Sequence, residues 1–275
     1  MEVINCLIHF KHIIMKNSSL YFLVFFLFTS CSLKESNKTI IDLSHEFSEK
    51  TIYWVTAKEF KLDTVFRGQT DKGFYYAANN LTTAEHGGTH IDAPIHFSKT
   101  GQTVDEIPLD KLVGAAIKID VSGKAMNNPD YLISIEDFKD WEEEEQMKIP
   151  KGSIVLLETG YSKFYPDKKK YLGTVQRGTK AVKLLHFPGL SPDAATWLVE
   201  NRSINAIGLD TPSIDYGQSE YFKSHVILLS NNIPAFENLT NLDQLPSKGF
   251  EVFALPMKIK GGSGGPLRII AILNN

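Results

Sequence analysis

The segment His86-Gly-Gly-Thr-His90-Ile-Asp92-Ala-Pro-Ile-His96 constrains this chain more than any other. Gly87, Gly88 and Pro94 forbid a regular helix through it, so it must run as a kinked, extended stretch. Residues two apart then share a face. His90 and Asp92 point the same way, and His96 joins them if the extension persists. The glycine pair lets the backbone turn so that His86 can swing in as well. One histidine alone is ordinarily a satisfied polar residue. Three imidazoles and a carboxylate at this spacing make a candidate metal site. The only cysteines are Cys6 and Cys31, so a thiolate-rich structural zinc is excluded. Neutral imidazoles and a carboxylate suit Zn²⁺ or Mn²⁺ in a catalytic site with an open position.

The first thirty residues are a different material. Lys16 is followed by the apolar run 20–28 and then Thr29-Ser30-Cys31. A basic start, a short apolar core and small residues before a break describe a secretory signal. The run is far short of the ~20 residues that a membrane span needs. Phe28-Thr-Ser-Cys31 also resembles the bacterial lipobox, in which the cysteine is lipidated and becomes the new N-terminus. Met15 is a candidate start, because Met15-Lys16-Asn17 begins a typical signal. The expectation is a signal sequence over 1–30, cleaved before Cys31, then a polar tether to residue 38. The product would be an exported lipoprotein, anchored to a membrane through its lipid alone. The alternative is an uncleaved apolar tail with an incidental cysteine. Cleavage would leave no thiol except the lipidated one, and so no disulfide and no cysteine nucleophile.

Residues 39–275 contain no repeat and no Pro/Gly/Ser linker, which makes one domain the simplest reading. With 43% hydrophobic residues the chain can bury a sizeable core, and its net charge of −3 leaves no footprint for nucleic acid. The acidic run Glu142 to Glu145 reads as a solvated helix face. Thr39 to Ser44 starts a β-rich region. The short runs 115–121, 153–158, 204–209 and 225–230 read as buried strands, with His225 at the head of the last. A helix is expected after Ser191, with Pro192 in its first turn and Asp193 on the dipole. A second begins near Ser134, with Asp137 three residues on, and runs through Phe138 and Trp141. Strands alternating with a few helices give an α/β domain.

Beyond the opening segment, the sequence resembles the cyclase family of metal-dependent hydrolases, which includes bacterial kynurenine formamidases and isatin hydrolases. The signature His-x-Gly-Thr-His-x-Asp-x-Pro-x-His is met by His86 through His96. The likeness continues through Asp42-Leu-Ser44, Thr159-Gly-Tyr161, the run 186–191, Trp197-Leu198 and Gly208 through Asp215. His225, Glu237, Leu255-Pro256 and Gly265-Pro266-Leu267-Arg268 complete it. The resemblance implies a compact β/β/α fold of swivelling type, with mixed sheets, usually as a homodimer. It implies metal ligands at His86, His90, Asp92, His225 and Glu237 for one or two ions, and an acid/base at His96. Formamidase relatives place an aromatic residue near the substrate ring. Trp54 is the nearest candidate, although Val55 follows it where the family has proline and glycine.

The activity so implied is hydrolysis of a small amide by metal-activated water, with aryl formamides as the first expectation. Isatin-like lactam opening is the alternative enzyme, and a metal- or ligand-binding lipoprotein is the alternative class. Two further features point elsewhere and are weak. The glycine-rich run 261–266 lacks the Gly-Lys-Ser/Thr of a phosphate loop and reads as a turn between the terminal strands. Ser213 lacks the elbow of a serine hydrolase.

Overall fold

A computed structural model describes residues 38–274. The expected signal sequence, Cys31 and nearly all of the tether lie outside the described residues. Strands β1 (Lys38–Asp42), β2 (Lys61–Gln69), β3 (Tyr75–Thr82) and β4 (His90–Asp92) come first. They are followed by β5 (Val113–Asp120), helix α1 (Ser122–Ala125), β6 (Leu132–Ile133) and helix α2 (Ile135–Glu144). Next come β7 (Ile154–Glu158), α3 (Lys168–Leu172), β8 (Gly189–Leu190), α4 (Pro192–Asn201) and β9 (Ala206–Leu209). The last elements are α5 (Lys223–Ser230), β10 (Ala235–Glu237), β11 (Phe250–Pro256) and β12 (Gly264–Asn274).

Strand pairing runs β12-β11-β5-β7-β9-β10-β4 and returns from β4 to β12, so the main sheet closes like a barrel. β5, β7, β9 and β10 are mutually parallel, and the other ladders of this sheet are antiparallel. This is a mixed α/β fold with few helices. β12 serves two partners on one edge: Gly264 to Pro266 pair with β4, and the ladder to β1 begins at Ile270. Closure leaves β4 no free edge, which fixes the segment that carries His90 and Asp92.

Alternation along β7 sorts its side chains into two cores. Ile154 and Leu156 face the sheet interior with Ile91, Phe236, Val252 and Ile269. Val155 and Leu157 face outward, where Phe138 and Trp141 of α2 and Leu198 of α4 cover them. A third cluster, with Ile52, Tyr171, Leu185 and Phe187, builds the wall beside Trp54.

Three details differ from the sequence expectation. Residues 225–230 form helix α5 rather than a buried strand. Its apolar run has no period that separates the two choices. The helix buries Ser224, His225, Leu228 and Leu229 while Val226 is exposed, a helical pattern. The hairpin β2–β3, absent from the expected strands, projects as a two-stranded sheet of its own. Leu62, Phe66, Tyr76 and Leu81 are exposed on it, with the Phe66 and Tyr76 rings stacked at 5.8 Å. Glu142 in the acidic run is gripped by Arg202 at 2.5 and 2.7 Å rather than solvated.

The expected start of α2 is present. Asp137 Oδ2 accepts from the Ser134 N–H at 2.7 Å, and Oδ1 accepts from Lys124 Nζ at 2.6 Å and from the Tyr131 hydroxyl at 2.9 Å. Burial alone would raise the Asp137 carboxyl, but these donors hold it below the usual carboxylate range. Its contribution to stability is therefore complete above an unfolded value of about 3.9 and is lost as pH falls through the lower folded value. We predict that Asp137→Ala costs about 1–3 kcal/mol at pH 7. Urea unfolding at pH 7 and pH 3 checks this: the gap between wild type and variant should narrow in acid, and a gap independent of pH would refute it.

Candidate active site

Register puts the first two candidates face to face. His90 on β4 is the direct partner of Glu237 on β10, and Asp92 lies two residues on along the same face. His225 comes in from α5. Its Nε2 lies 3.0 Å from Asp92 Oδ2 and 3.3 Å from Glu237 Oε1. His90 Nε2 lies 3.2 Å from Asp92 Oδ1 and 3.4 Å from Glu237 Oε2. All four side chains are buried.

The outward nitrogens decide what the inward ones can do. His90 Nδ1 donates to the Gly88 carbonyl at 2.9 Å, and His225 Nδ1 donates to Asp215 Oδ2 at 2.6 Å. A neutral ring so anchored turns the Nε2 lone pair toward two carboxylates. Lone pairs facing carboxylates repel unless a cation lies among them. In its absence protons take that role: burial disfavours charge on His90 and His225, yet hydrogen bonds to Asp92 and Asp215 respectively raise them. Burial pushes Asp92 up, but the surrounding imidazoles hold it well below the usual range. Burial and the Asp92 charge raise Glu237. Two ligands about 2.0–2.1 Å from one ion, on tetrahedral directions, lie about 3.3 Å apart. The nitrogen–oxygen separations above match that spacing, and the donor set fits a divalent metal.

His86 and His96 complete the group. His86 Nδ1 lies 2.6 Å from Asp92 Oδ1. The His96 ring stacks on His86 with centroids 3.7 Å apart and planes 20° from parallel. His86, Asp92 and His96 could themselves hold an ion, as could His90, Asp92 and Glu237. Burial pushes the His96 imidazole down to about 4 despite the pull of Asp92, so it is uncharged at neutral pH. Gly87 has φ +151°, and a Cβ there would lie 2.0 Å from the Tyr53 ring, so only glycine lets the chain pass between Tyr53 and the site.

A cavity of about 300 Å³ opens onto these groups. Trp54 lines it, together with Phe97, Phe222 and Pro212. Phe222 lies 6.0 Å from Trp54 and 5.5 Å from Phe97, centroid to centroid, so the three rings form one aromatic wall. Sequence reasoning missed Phe97 and Phe222. It also missed the roles of Asp215 and of the Ile214 N–H, which donates to Glu237 Oε1 at 2.7 Å. An acidic residue ten positions before His225 is the one signal that could have marked Asp215.

The family model described as Putative cyclase matches residues 41–216, and the chain belongs to that family. It is 29% identical over 246 residues to the isatin hydrolase of Roseibium aggregatum, covering 86% of this chain and 88% of that protein. It is 28% identical over 232 residues to the kynurenine formamidase of Salinibacter ruber, covering 84% and 96% respectively. The structure of isatin hydrolase A from Labrenzia aggregata bound to benzyl benzoate matches with a TM-score of 0.78 and 31% identity, over 94% of this chain and 100% of that one. These relatives are hydrolases, and so is this chain.

Proposed function

We propose that the chain is a metal-dependent hydrolase that cleaves an amide C–N bond attached to an aromatic ring. One observation carries this reading: in a single cavity, a donor set that demands a cation lies beside an uncharged histidine and an aromatic wall. His86, His90, Asp92, His225 and Glu237 are the ligands for one or two ions, zinc or manganese. A bound ion of this kind polarises a carbonyl oxygen and acidifies water. His96 takes the water's proton at an imidazole nitrogen and returns it to the leaving nitrogen. His86, stacked on His96, holds the plane of that ring. Trp54, Phe97 and Phe222 seat the aryl group and exclude bulk water.

An aryl formamide of the N-formylkynurenine kind fits this arrangement, because its carbonyl is carried on a ring-bound nitrogen. An isatin-like lactam fits it too, and the likeness to isatin hydrolases favours the lactam. A purely binding protein would have no use for a proton-transfer group at His96. With full occupancy by manganese or zinc, the protein should turn over isatin or N-formylkynurenine. His96→Ala should keep the metal and lose ~10²–10⁴-fold in kcat. Trp54→Ala should raise KM. No turnover by the loaded protein would move the reading to the binding class, and loss of metal from His96→Ala would make His96 a ligand.

We also propose a homodimer. A two-stranded hairpin is marginal alone in water, and β2–β3 exposes apolar side chains on both faces. Phe66→Asp combined with Leu81→Asp should yield a folded monomer by sedimentation, whereas a monomeric wild type would end this proposal.

The leader supports export and lipidation at Cys31. Cys31→Ala should abolish incorporation of labelled fatty acid, and a wild-type chain that takes up no label would refute the anchor.

A further inference from the structure

The inward-facing histidines do not all present the same nitrogen. His90 and His225 are anchored through Nδ1 and present Nε2. His86 is reversed: Nδ1 faces Asp92, and Nε2 lies 2.9 Å from the hydroxyl of Ser263. Ser263 belongs to the glycine-rich turn that leads into β12, a feature to which the reaction above assigns no part.

We propose that Ser263 and Glu85 are positioning residues that hold His86 with Nδ1 toward the metal site. This rests on the metal-hydrolase reading. The Ser263 hydroxyl donates its single proton to Glu85 Oε2 at 2.5 Å, and the Ser263 backbone N–H donates to the same oxygen at 3.2 Å. With that proton committed, the oxygen turns a lone pair to His86 Nε2, which must then carry hydrogen and donate. In a neutral ring, hydrogen on Nε2 leaves the lone pair on Nδ1, on the side of Asp92. The carboxylate thus selects the histidine tautomer through the serine. A ligating histidine held by its other nitrogen in this way has a fixed ring and a more basic inward atom. The same ring stacks on His96, so its orientation also sets the plane of the acid/base.

The glycines beside Ser263 are what let it reach this place. A Cβ at Gly264 would lie 2.6 Å from His86 Cε1 and 2.4 Å from the Ile91 carbonyl oxygen. A Cβ at Gly262 would lie 2.9 Å from Glu85 Oε1. Side chains at either position would push the serine out from between the carboxylate and the ring. The glycine-rich sequence is thus a close-approach device for one hydroxyl rather than a flexible loop.

The test is Mn²⁺ affinity of the full chain, measured by equilibrium dialysis with free Mn²⁺ read by electron paramagnetic resonance. Ser263→Ala should weaken binding roughly 10–100-fold, and Ser263→Thr, which keeps the hydroxyl, should restore most of it. Glu85→Ala is the more specific variant. It leaves the serine in place but frees its proton to point at Nε2, which favours the wrong tautomer, so its loss should approach that of Ser263→Ala. A Ser263→Ala protein that binds Mn²⁺ as tightly as wild type overturns the proposal. So does a Glu85→Ala protein with undiminished affinity. If wild type itself binds neither Mn²⁺ nor Zn²⁺, the underlying metal reading fails as well. Tight wild-type binding with insensitive variants refutes the positioning role alone.

Discussion

Two carboxylates, Asp92 and Glu237, are buried within reach of the same imidazoles, and much of the fold around them answers to that fact. Burying an isolated charge costs far more than a domain can spare, so such groups need compensating positive charge. Their polar neighbours are His90 across the β4–β10 ladder, His225 on α5 and His86 before β4, and a bound cation would supply the balancing charge. The arrangement depends on register. A one-residue slip between β4 and β10 would turn Glu237 away from His90 and leave a buried carboxylate with fewer partners. Closure of the sheet opposes that slip, because β4 is paired on both edges, to β10 and to β12.

The backbone behind the site is tied in the same spirit. The Gly88 carbonyl accepts from both His90 Nδ1 and Asn238 Nδ2, and the Thr89 hydroxyl donates to the Asn238 carbonyl at 2.7 Å. Residues just before β4 and just after β10 therefore hold each other. Asp215 accepts from the ring and backbone N–H of His225 and from the Ser224 N–H, so one carboxylate fixes both a helix start and a side chain. The inward atoms can be crowded with like polarity because the outward atoms are so firmly held. This is electrostatic preorganisation: the strain of facing lone pairs and carboxylates is carried by the fold and would be relieved by a bound cation.

Residues close in sequence were the legible part of this site. His86, His90, Asp92 and His96 declare themselves by spacing, since two glycines and a proline leave the backbone little choice. His225 and Glu237 were reachable only by resemblance, because the β10–β4 register and the α5 approach that unite them with β4 are long-range. The apolar run after His225 misled for a local reason. A fully apolar stretch has no period to read, and only burial on one side shows it to be helical. Cap chemistry at Ser134 and Ser191 is local and was legible; Ser191 accepts from the Ala194 N–H at 3.2 Å. The aromatic wall was not, because Trp54, Phe97 and Phe222 come from three separate loops. Nor was the purpose of Ser263, whose glycine neighbours suggest flexibility until the closeness of His86 and Glu85 is seen.

The electrostatics of His96 bear on the amides proposed as substrates. An imidazole held near 4 is a weak base, so His96 would take a proton readily only from water that a bound cation acidifies. Once protonated it is a strong acid, well suited to a leaving nitrogen that binds protons poorly. A nitrogen on an aromatic ring is such a group, because its lone pair is delocalised into the ring, whereas an alkyl amine leaves at much greater cost. The wall of Trp54, Phe97 and Phe222 would offer the same ring stacking and edge contacts. Shape and proton affinity thus support the proposed aryl amides from independent directions. An acyclic formamide and a fused lactam both fit that description, and they differ in where the carbonyl carbon goes after cleavage: released as formate in one case, retained on the ring in the other.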